Sequence, residues 1–454
     1  MQIEENQEWK DRWKQRKKKL TSSQIIIIGF ATIILVGALL LTLPIASRSG
    51  QATPFFDALF TATSAVCVTG LVVYDTATHW SLFGQIIILM LIQIGGMGVV
   101  TIAVTITMVS GKKIGLMQRS TLQEAISAPQ MGGIVRLTNF IVRTALCIEM
   151  IGVLCMAPIF CKREGMVRGL WYAIFHSVSA FCNAGFDLQG TRQPFSSLTS
   201  YADNWVINLT IMMLILVGGL GFLTWNEIKT KKFHFRQYRV QSKIVLTMTV
   251  LLIVFPTLYF YFGEFQQESS GKRLLLSLFQ TVTPRTAGFN TADLTLLSET
   301  GIFLMILLML IGGSTGSTAG GIKTTTMAVL FAVMQAVFRR HQDAHMFGRR
   351  IAEETIRSAA AIFLMYVSLF MAGGMVISRI EGLPILTCLF ETASAIATVG
   401  LSLGVTPQLG AVSRGILILL MFLGRVGGLT IIFATNSELG TYKSRYPQEK
   451  IMVG

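Results

Sequence analysis

Long apolar runs alternate along this chain with shorter ones, in an order that recurs four times. The long runs predict bilayer-spanning helices, which need about 20 apolar residues each. They cover residues 21–44, 81–110, 136–160, 204–225, 244–262, 301–338, 356–377 and 412–434. Within each consecutive pair lies a shorter run: 55–71 (FFDALFTATSAVCVTGL), 170–186 (LWYAIFHSVSAFCNAGF), 274–290 (LLLSLFQTVTPRTAGFN) and 386–401 (LTCLFETASAIATVGL). Each passes from apolar residues, through small and hydroxyl residues, to one glycine followed by an apolar residue. These glycines, Gly70, Gly185, Gly288 and Gly400, are 115, 103 and 112 residues apart. Phe60, Phe175 and Phe390 precede theirs by ten residues, and Phe279 precedes Gly288 by nine. One such run would read as a helix ending in glycine; four at a near-constant period mark an internal repeat.

The short runs cannot cross a membrane. They predict re-entrant segments, half a helix going in and extended backbone coming out. Non-helical backbone at that depth is tolerated only inside protein or along a water-filled path. Four such segments around one axis would present a ring of carbonyls able to replace the hydration shell of a cation. Glycine suits the ring because, lacking a Cβ, it adopts backbone angles closed to other residues. The expected fold is an all-α polytopic membrane protein of four span–re-entrant loop–span units around one pseudo-fourfold pore. The units cover residues 21–110, 136–228, 244–338 and 356–436, with a basic arm (1–20), linkers (111–135, 229–243, 339–355) and a tail (437–454). Glycine clusters at Gly95, Gly218, Gly312 and Gly427 in the second spans suit close helix packing.

Composition agrees with this pattern. Of 454 residues, 52% are hydrophobic and 13% charged, against about 25% charged in soluble domains, and the mean hydropathy is +0.61. The net charge of +15 is not gathered into a nucleic-acid patch. Basic residues fall in segments 10–19, 112–119, 229–243 and 339–350 between apolar runs, which places those segments and both termini in the cytoplasm. The first apolar run lacks a small-residue cleavage site and is expected to be retained. The six cysteines have no metal-ligand spacing and read as small buried hydrophobes; His341 and His345 read as part of a solvated loop.

Three features carry candidate chemistry. Residues 312–326 read GGSTGSTAGGIKTTT in the middle of an apolar stretch. So many glycines oppose a lipid-facing helix, at about 1 kcal/mol each relative to alanine. A phosphate loop is nearly spelled, but Ile322 interrupts it and no strand precedes it. The segment is expected to lie in the pore beneath the filter. Arg425 has about ten apolar residues on either side; a charge at that depth costs about 2.5–3.5 kcal/mol, so it should face a water-filled cavity, as a barrier to cations, or pair with an acid such as Glu149. Arg285, three residues before Gly288, should point behind the filter, to loop carbonyls or an acid such as Glu391. The acids Asp57, Asp75, Asp187, Asp203 and Asp293 fall in outside segments, where they can concentrate cations; Asp57 is also a candidate helix cap.

Thr398-Val399-Gly400 is similar to the filter of potassium channels, without its second glycine. With the four loop glycines, the phrase TPRTAGFN at 283–290 and the glycine-rich segment, the chain resembles the Trk/Ktr/HKT superfamily of cation transporters over nearly its whole length. It most resembles the Ktr-type potassium-uptake membrane subunit. That resemblance implies an ion-binding filter of Val68, Thr69, Gly70, Asn183, Ala184, Gly185, Thr286, Ala287, Gly288, Thr398, Val399 and Gly400. It implies an intramembrane gate of Gly312, Gly313, Ser314, Thr315, Gly316, Ser317, Thr318, Ala319, Gly320, Gly321, Lys323 and Arg425. Glycine in all four loops goes with potassium selectivity in that family, and serine in the first with sodium-permeable members. Further implications are a homodimer with one pore per chain, resting on a cytosolic nucleotide-binding regulatory ring (RCK-type), in a bacterial inner membrane. Nucleotide is expected only on that partner. Potassium is the substrate, sodium a candidate activator, and membrane lipid the surrounding partner. No catalytic constellation stands out, so no enzyme activity is expected. A sodium- or proton-coupled secondary transporter is the rival reading; for coupling acids it has Glu149 and Glu227.

Overall fold

The computed structural model describes residues 21–110, 114–126, 132–232 and 234–428, with positions 430, 434, 447 and 449 beyond. The basic arm, parts of the 111–135 linker, the last turns of the final expected span and nearly all of the tail lie outside the described residues. The first repeat holds helices α1 (Ser22–Thr42), α2 (Phe55–Val66), α3 (Leu82–Met97) and α4 (Val99–Val109), followed by a linker helix α5 (Leu116–Ala125). The second holds α6 (Ile134–Glu164), α7 (Met166–Phe181), α8 (Trp205–Gly219) and α9 (Phe222–Lys231). The third holds α10 (Val240–Tyr259), α11 (Ser270–Val282), α12 (Glu299–Leu310) and α13 (Thr324–Phe338). The fourth holds α14 (Glu353–Glu381), α15 (Ile385–Ile396) and α16 (Ala411–Val426). A hairpin of two short strands, β1 (His345–Met346) and β2 (Arg349–Arg350), lies in the third linker.

Helix α1 shows how apolar spans sort their faces. Thr21 and Gln24 close a capping box at its start, satisfying two otherwise orphaned N–H groups. Ile26, Phe30, Ile34, Ala38 and Leu41, at helical spacing, are buried, whereas Ile28, Leu35, Val36 and Leu39 are exposed. A helix apolar on both faces is at home only with protein on one side and lipid on the other. The cysteines divide likewise. Cys67, Cys182 and Cys388 are buried as expected, but Cys147 and Cys155 lie on the exposed face of α6 beside Leu146, Met150, Ile151 and Leu154. In lipid that face needs no burial in protein.

Among the described residues, four helices are long and apolar enough to cross a membrane unbroken: α1, α6, α10 with its terminal π turn, and α14. These are the first spans of the four repeats. None of the second spans is continuous: the break in 301–338 was expected from its glycine-rich segment, whereas 81–110, 204–225 and 412–434 were expected as single spans. Helices α3 and α4 meet at 95°, and α8 and α9 at 96°. The turning residues are Gly98 (φ 87°, ψ 131°), Gly221 (91°, 138°) and, at the end of α16, Gly427 (88°, 139°). Only glycine enters that conformation freely. Three residues before each break stands a second glycine with a different job. A Cβ on Gly95, Gly218 or Gly424 would collide with the carbonyl oxygen of Val66, Phe181 or Ile396, near the end of the re-entrant helix in its own repeat. The clusters therefore combine close packing with a bend. In the third repeat α12 stops at Leu310 and helix resumes only at Thr324.

The ring of repeats is fastened where its ends meet. Arg414 of α16 donates to Asp57 of α2 at 2.7 Å, joining fourth repeat to first across 357 residues. Asp57 also accepts from the Tyr74 hydroxyl at 2.8 Å. It is not the cap of α2: Pro54 occupies that position.

Candidate functional site

Each re-entrant helix runs into an extended segment that carries its loop glycine. Two residues before the glycine, φ is positive in all four copies: Val68 (58°), Asn183 (60°), Thr286 (66°) and Thr398 (52°). The glycines are positive again: Gly70 (95°), Gly185 (69°), Gly288 (78°) and Gly400 (93°). Alternating handedness lets successive carbonyls face the same way, whereas those of a strand alternate sides. Backbone amides of Thr69, Ala184 and Val399 donate to the carbonyls of Ser64, Ser179 and Ser394 at 2.8, 2.7 and 2.8 Å. In the third copy Ala287 donates to Thr283 at 3.0 Å. That loop is one residue shorter, which accounts for the nine-residue spacing from Phe279 to Gly288.

The four loops close on one another. A Cβ on Gly70 would meet the Ala184 carbonyl oxygen at 2.5 Å, and one on Gly185 the Ala287 oxygen at 2.7 Å. On Gly288 and Gly400 it would strike the oxygens of Val399 and Thr69. Each glycine thus lies against the preceding residue's carbonyl in the next loop, and the circuit returns to its start. The hydroxyls of Thr69, Thr286 and Thr398 are buried here with no hydrogen-bond partner among the described residues, an oxygen-rich surround of the kind a desolvated cation takes.

On the outer side all four loop glycines line a cavity of about 280 Å³ together with Asp75, Asp187 and Thr406. Desolvation at the edge of this cavity pushes the Asp187 carboxyl above the usual carboxylate range; its bond from the Gln189 amide opposes this, and neighbouring Asp75 reinforces it. On the inner side a cavity of about 240 Å³ is lined by Gly96, Thr315, Gly316, Ser317, Lys323 and Arg425, among others.

The 312–326 segment forms the upper wall of that inner cavity. It is anchored to the broken span of the second repeat: Ser314 N donates to Gly219 O at 3.0 Å, Thr318 N to Gly218 O at 3.3 Å, and Phe222 N to Gly316 O at 2.8 Å. Its ends are tied together by Gly312 N to Ile322 O at 2.9 Å and Thr324 N to Gly313 O at 3.1 Å. Gly320 packs directly against the Thr398 side chain. The segment therefore runs immediately beneath the loop ring. Ile322, which interrupts the phosphate-loop pattern, pairs here with Ile311 in a single bridge.

Arg425 follows Gly424 as Gly96 follows Gly95 and Gly219 follows Gly218, so the fourth repeat carries a guanidinium where two others carry hydrogen. It donates to the carbonyls of Thr318, Gly95 and Gly96, the last at 3.2 Å. One side chain thereby joins repeats one, three and four under the ring. Its alternative partner, Glu149, instead accepts from Gln93 Nε2 at 3.0 and 3.3 Å. Lys323 folds back on its own segment, donating to Ala319 O at 2.6 Å and Gly320 O at 3.3 Å.

The family model described as a cation transport protein, TrkH, matches residues 2–444. The chain belongs to the TrkH family of cation transport proteins. It is 40% identical to the potassium/sodium uptake protein NtpJ of Enterococcus hirae, over 97% of this chain and 99% of that one. It is 37% identical to the Ktr system potassium uptake protein B of Bacillus subtilis, over 96% and 97%. The fold matches the crystal structure of the potassium transporter TrkH from Vibrio parahaemolyticus with a TM-score of 0.71 at 20% identity, over 92% of this chain and 85% of that one.

Other residues of this TrkH-family chain depart from their sequence expectations. Arg285 is buried behind the third loop, but its partner is the Thr249 hydroxyl of α10 at 3.2 Å. Glu391 is occupied elsewhere, by Ser402, Leu403 and Thr406. Of the five outside acids, Asp75 and Asp187 line the outer cavity. Asp203 and Asp293 are exposed, and Asp293 caps a turn by accepting from Thr295 N. Sequence reasoning overlooked the side-chain role of Asn183. Its amide donates to Arg285 O at 3.1 Å, and its oxygen accepts from Thr318 Oγ1 at 3.1 Å. An amide side chain within a run of small residues was the available signal.

Proposed function

We propose that this chain is the potassium-translocating membrane subunit of a Ktr-type uptake system, a gated channel-like path driven by the ion gradient. The observation that carries this reading is the closed circuit of four loop glycines and neighbouring carbonyls, with a cavity on either side. Oxygen ligands without counter-charges suit a monovalent cation that must enter and leave quickly. The twelve loop residues named above act as the filter. The 312–326 segment and Arg425 act as the gate, since together they lie across the path just beneath it. The names of the relatives support potassium as cargo, and one of them also names sodium.

Further parts of the reading are a homodimer, a cytosolic nucleotide-binding ring as regulator, surrounding lipid, and both termini in the cytoplasm. Exposed basic residues near α9, such as Lys229 and Arg239, and the 345–350 hairpin offer docking surfaces for the ring. Coupling through a mid-membrane acid gains little support: Glu227 lies beside Lys231 at 3.2 Å and Arg239 at 3.6 Å, and Glu149 is held by Gln93.

Expression in a bacterium stripped of its own potassium uptake tests the proposal. Growth at limiting potassium is expected with the chain and its ring partner present. Sustained rubidium-tracer exclusion, with normal amounts of both proteins in the membrane, would overturn it.

A further inference from the structure

The residue directly after each loop phenylalanine occupies one equivalent place on the four re-entrant helices: Thr61, His176, Gln280 and Glu391. All four are polar and almost wholly inaccessible. In three copies the side chain crosses to the strand that leaves the ring. Glu391 accepts from Ser402 Oγ at 2.7 Å, Leu403 N at 2.9 Å and Thr406 Oγ1 at 2.5 Å. His176 Nδ1 donates to Tyr172 O at 2.7 Å, which leaves Nε2 to accept from Leu188 N at 3.4 Å. Gln280 Nε2 donates to Asn290 Oδ1 at 3.1 Å. In the first copy Thr61 turns back to its own helix, donating to Asp57 O at 3.0 Å. There Asp57 takes over, holding Tyr74 four residues beyond Gly70.

We propose that this position is a set of struts that fix the width of the ring, and that Glu391 is the specificity-determining strut of the fourth loop. The proposal rests on the reading of the ring as a cation filter. The incoming end of each loop is held by its own helix through main-chain bonds. Beyond the glycine the chain leaves the re-entrant helix and, in the fourth loop, bends at Gly404 before the short turn Thr406–Gln408. In the fourth loop Glu391 makes three bonds there through both carboxyl oxygens, the most of the four sets. Discrimination between potassium and sodium depends on how firmly carbonyls keep their distance from the axis. A loop released at its exit can close on the smaller ion. Glu391 does not touch the permeating ion; it acts through residues 402–406.

The test measures potassium-over-sodium permeability from reversal potentials of full-length protein in liposomes, for wild type, Glu391→Gln, Glu391→Leu and the double variant Ser402→Ala/Thr406→Val. Gln keeps an oxygen for the Leu403 amide and should retain most of the wild-type ratio. Leu should lower it about tenfold, the scale of a lost hydrogen bond. The double variant removes two of the partners while keeping the carboxyl, and should shift the ratio the same way, even where the buried leucine lowers folded yield. An unchanged ratio in folded Glu391→Leu, or in the double variant, overturns the proposal. Failure of wild type itself to prefer potassium would count against the filter reading instead.

Discussion

At the residue scale, the loop glycines are where sequence and structure agree most closely. Their spacing exposed them, because four equal positions in one chain leave a repeat that single motifs do not. What the spacing did not reveal is the contact that makes glycine obligatory: each lies against a neighbouring loop's carbonyl, which is rigid backbone that cannot yield. Gly70→Ser adds both a Cβ against Ala184 O and a side chain at φ 95°. Backbone strain of about 1–3 kcal/mol is expected, and potassium-over-sodium selectivity should fall. Tracer uptake of both ions per folded molecule checks this; unchanged selectivity removes Gly70 from the filter. Arg425 was legible as an expensive charge, but its ligands were not, since they are carbonyls drawn from two other repeats. At about 6 Å and an effective dielectric near 20, a guanidinium repels a passing cation by roughly 3 kcal/mol, before screening by water. Arg425→Ala should therefore raise maximal potassium flux, and Arg425→Lys should largely keep the barrier. Purified-protein flux decides it: lower folded yield with no gain per molecule would make the arginine a brace.

At the element scale, the re-entrant helices were readable from length and the break at 312–326 from its glycines, whereas the bends in the other second spans were not. Hydropathy is blind to a bend, because α3 and α4 are apolar on both sides of Gly98. The signal was the pairing Gly95/Gly98, Gly218/Gly221 and Gly424/Gly427, two glycines three apart, one for contact and one for direction. The third repeat replaces such a bend with the 312–326 segment, whose hydrogen bonds run to the second repeat and whose Gly320 abuts Thr398. Deleting residues 313–321 removes the material beneath the ring. Flux should rise and depend less on the proposed cytosolic ring. Transport assays with and without that partner test this, and a folded deletion with no flux would show the segment to be structural.

At the scale of the whole molecule, one chain builds what four subunits would otherwise build, and its closure can be traced to particular residues. Asp57 and Arg414 fasten first repeat to last across a partly buried contact, and removing one partner of such a pair costs about 3–5 kcal/mol when the other stays buried. Arg414→Ala should accordingly lower the thermal midpoint of detergent-solubilised protein, while Asp57→Asn/Arg414→Gln recovers part of the loss; equal midpoints for wild type and Arg414→Ala would show the seam to be held elsewhere. Such a long-range pair has no local pattern, so the sequence could not announce it. The central claim, that the ring passes potassium selectively, is tested most directly by the current reversal potential of purified protein in liposomes under opposed potassium and sodium gradients. The account predicts a reversal close to the potassium equilibrium potential; a reversal close to the sodium value, or midway between the two, would contradict it.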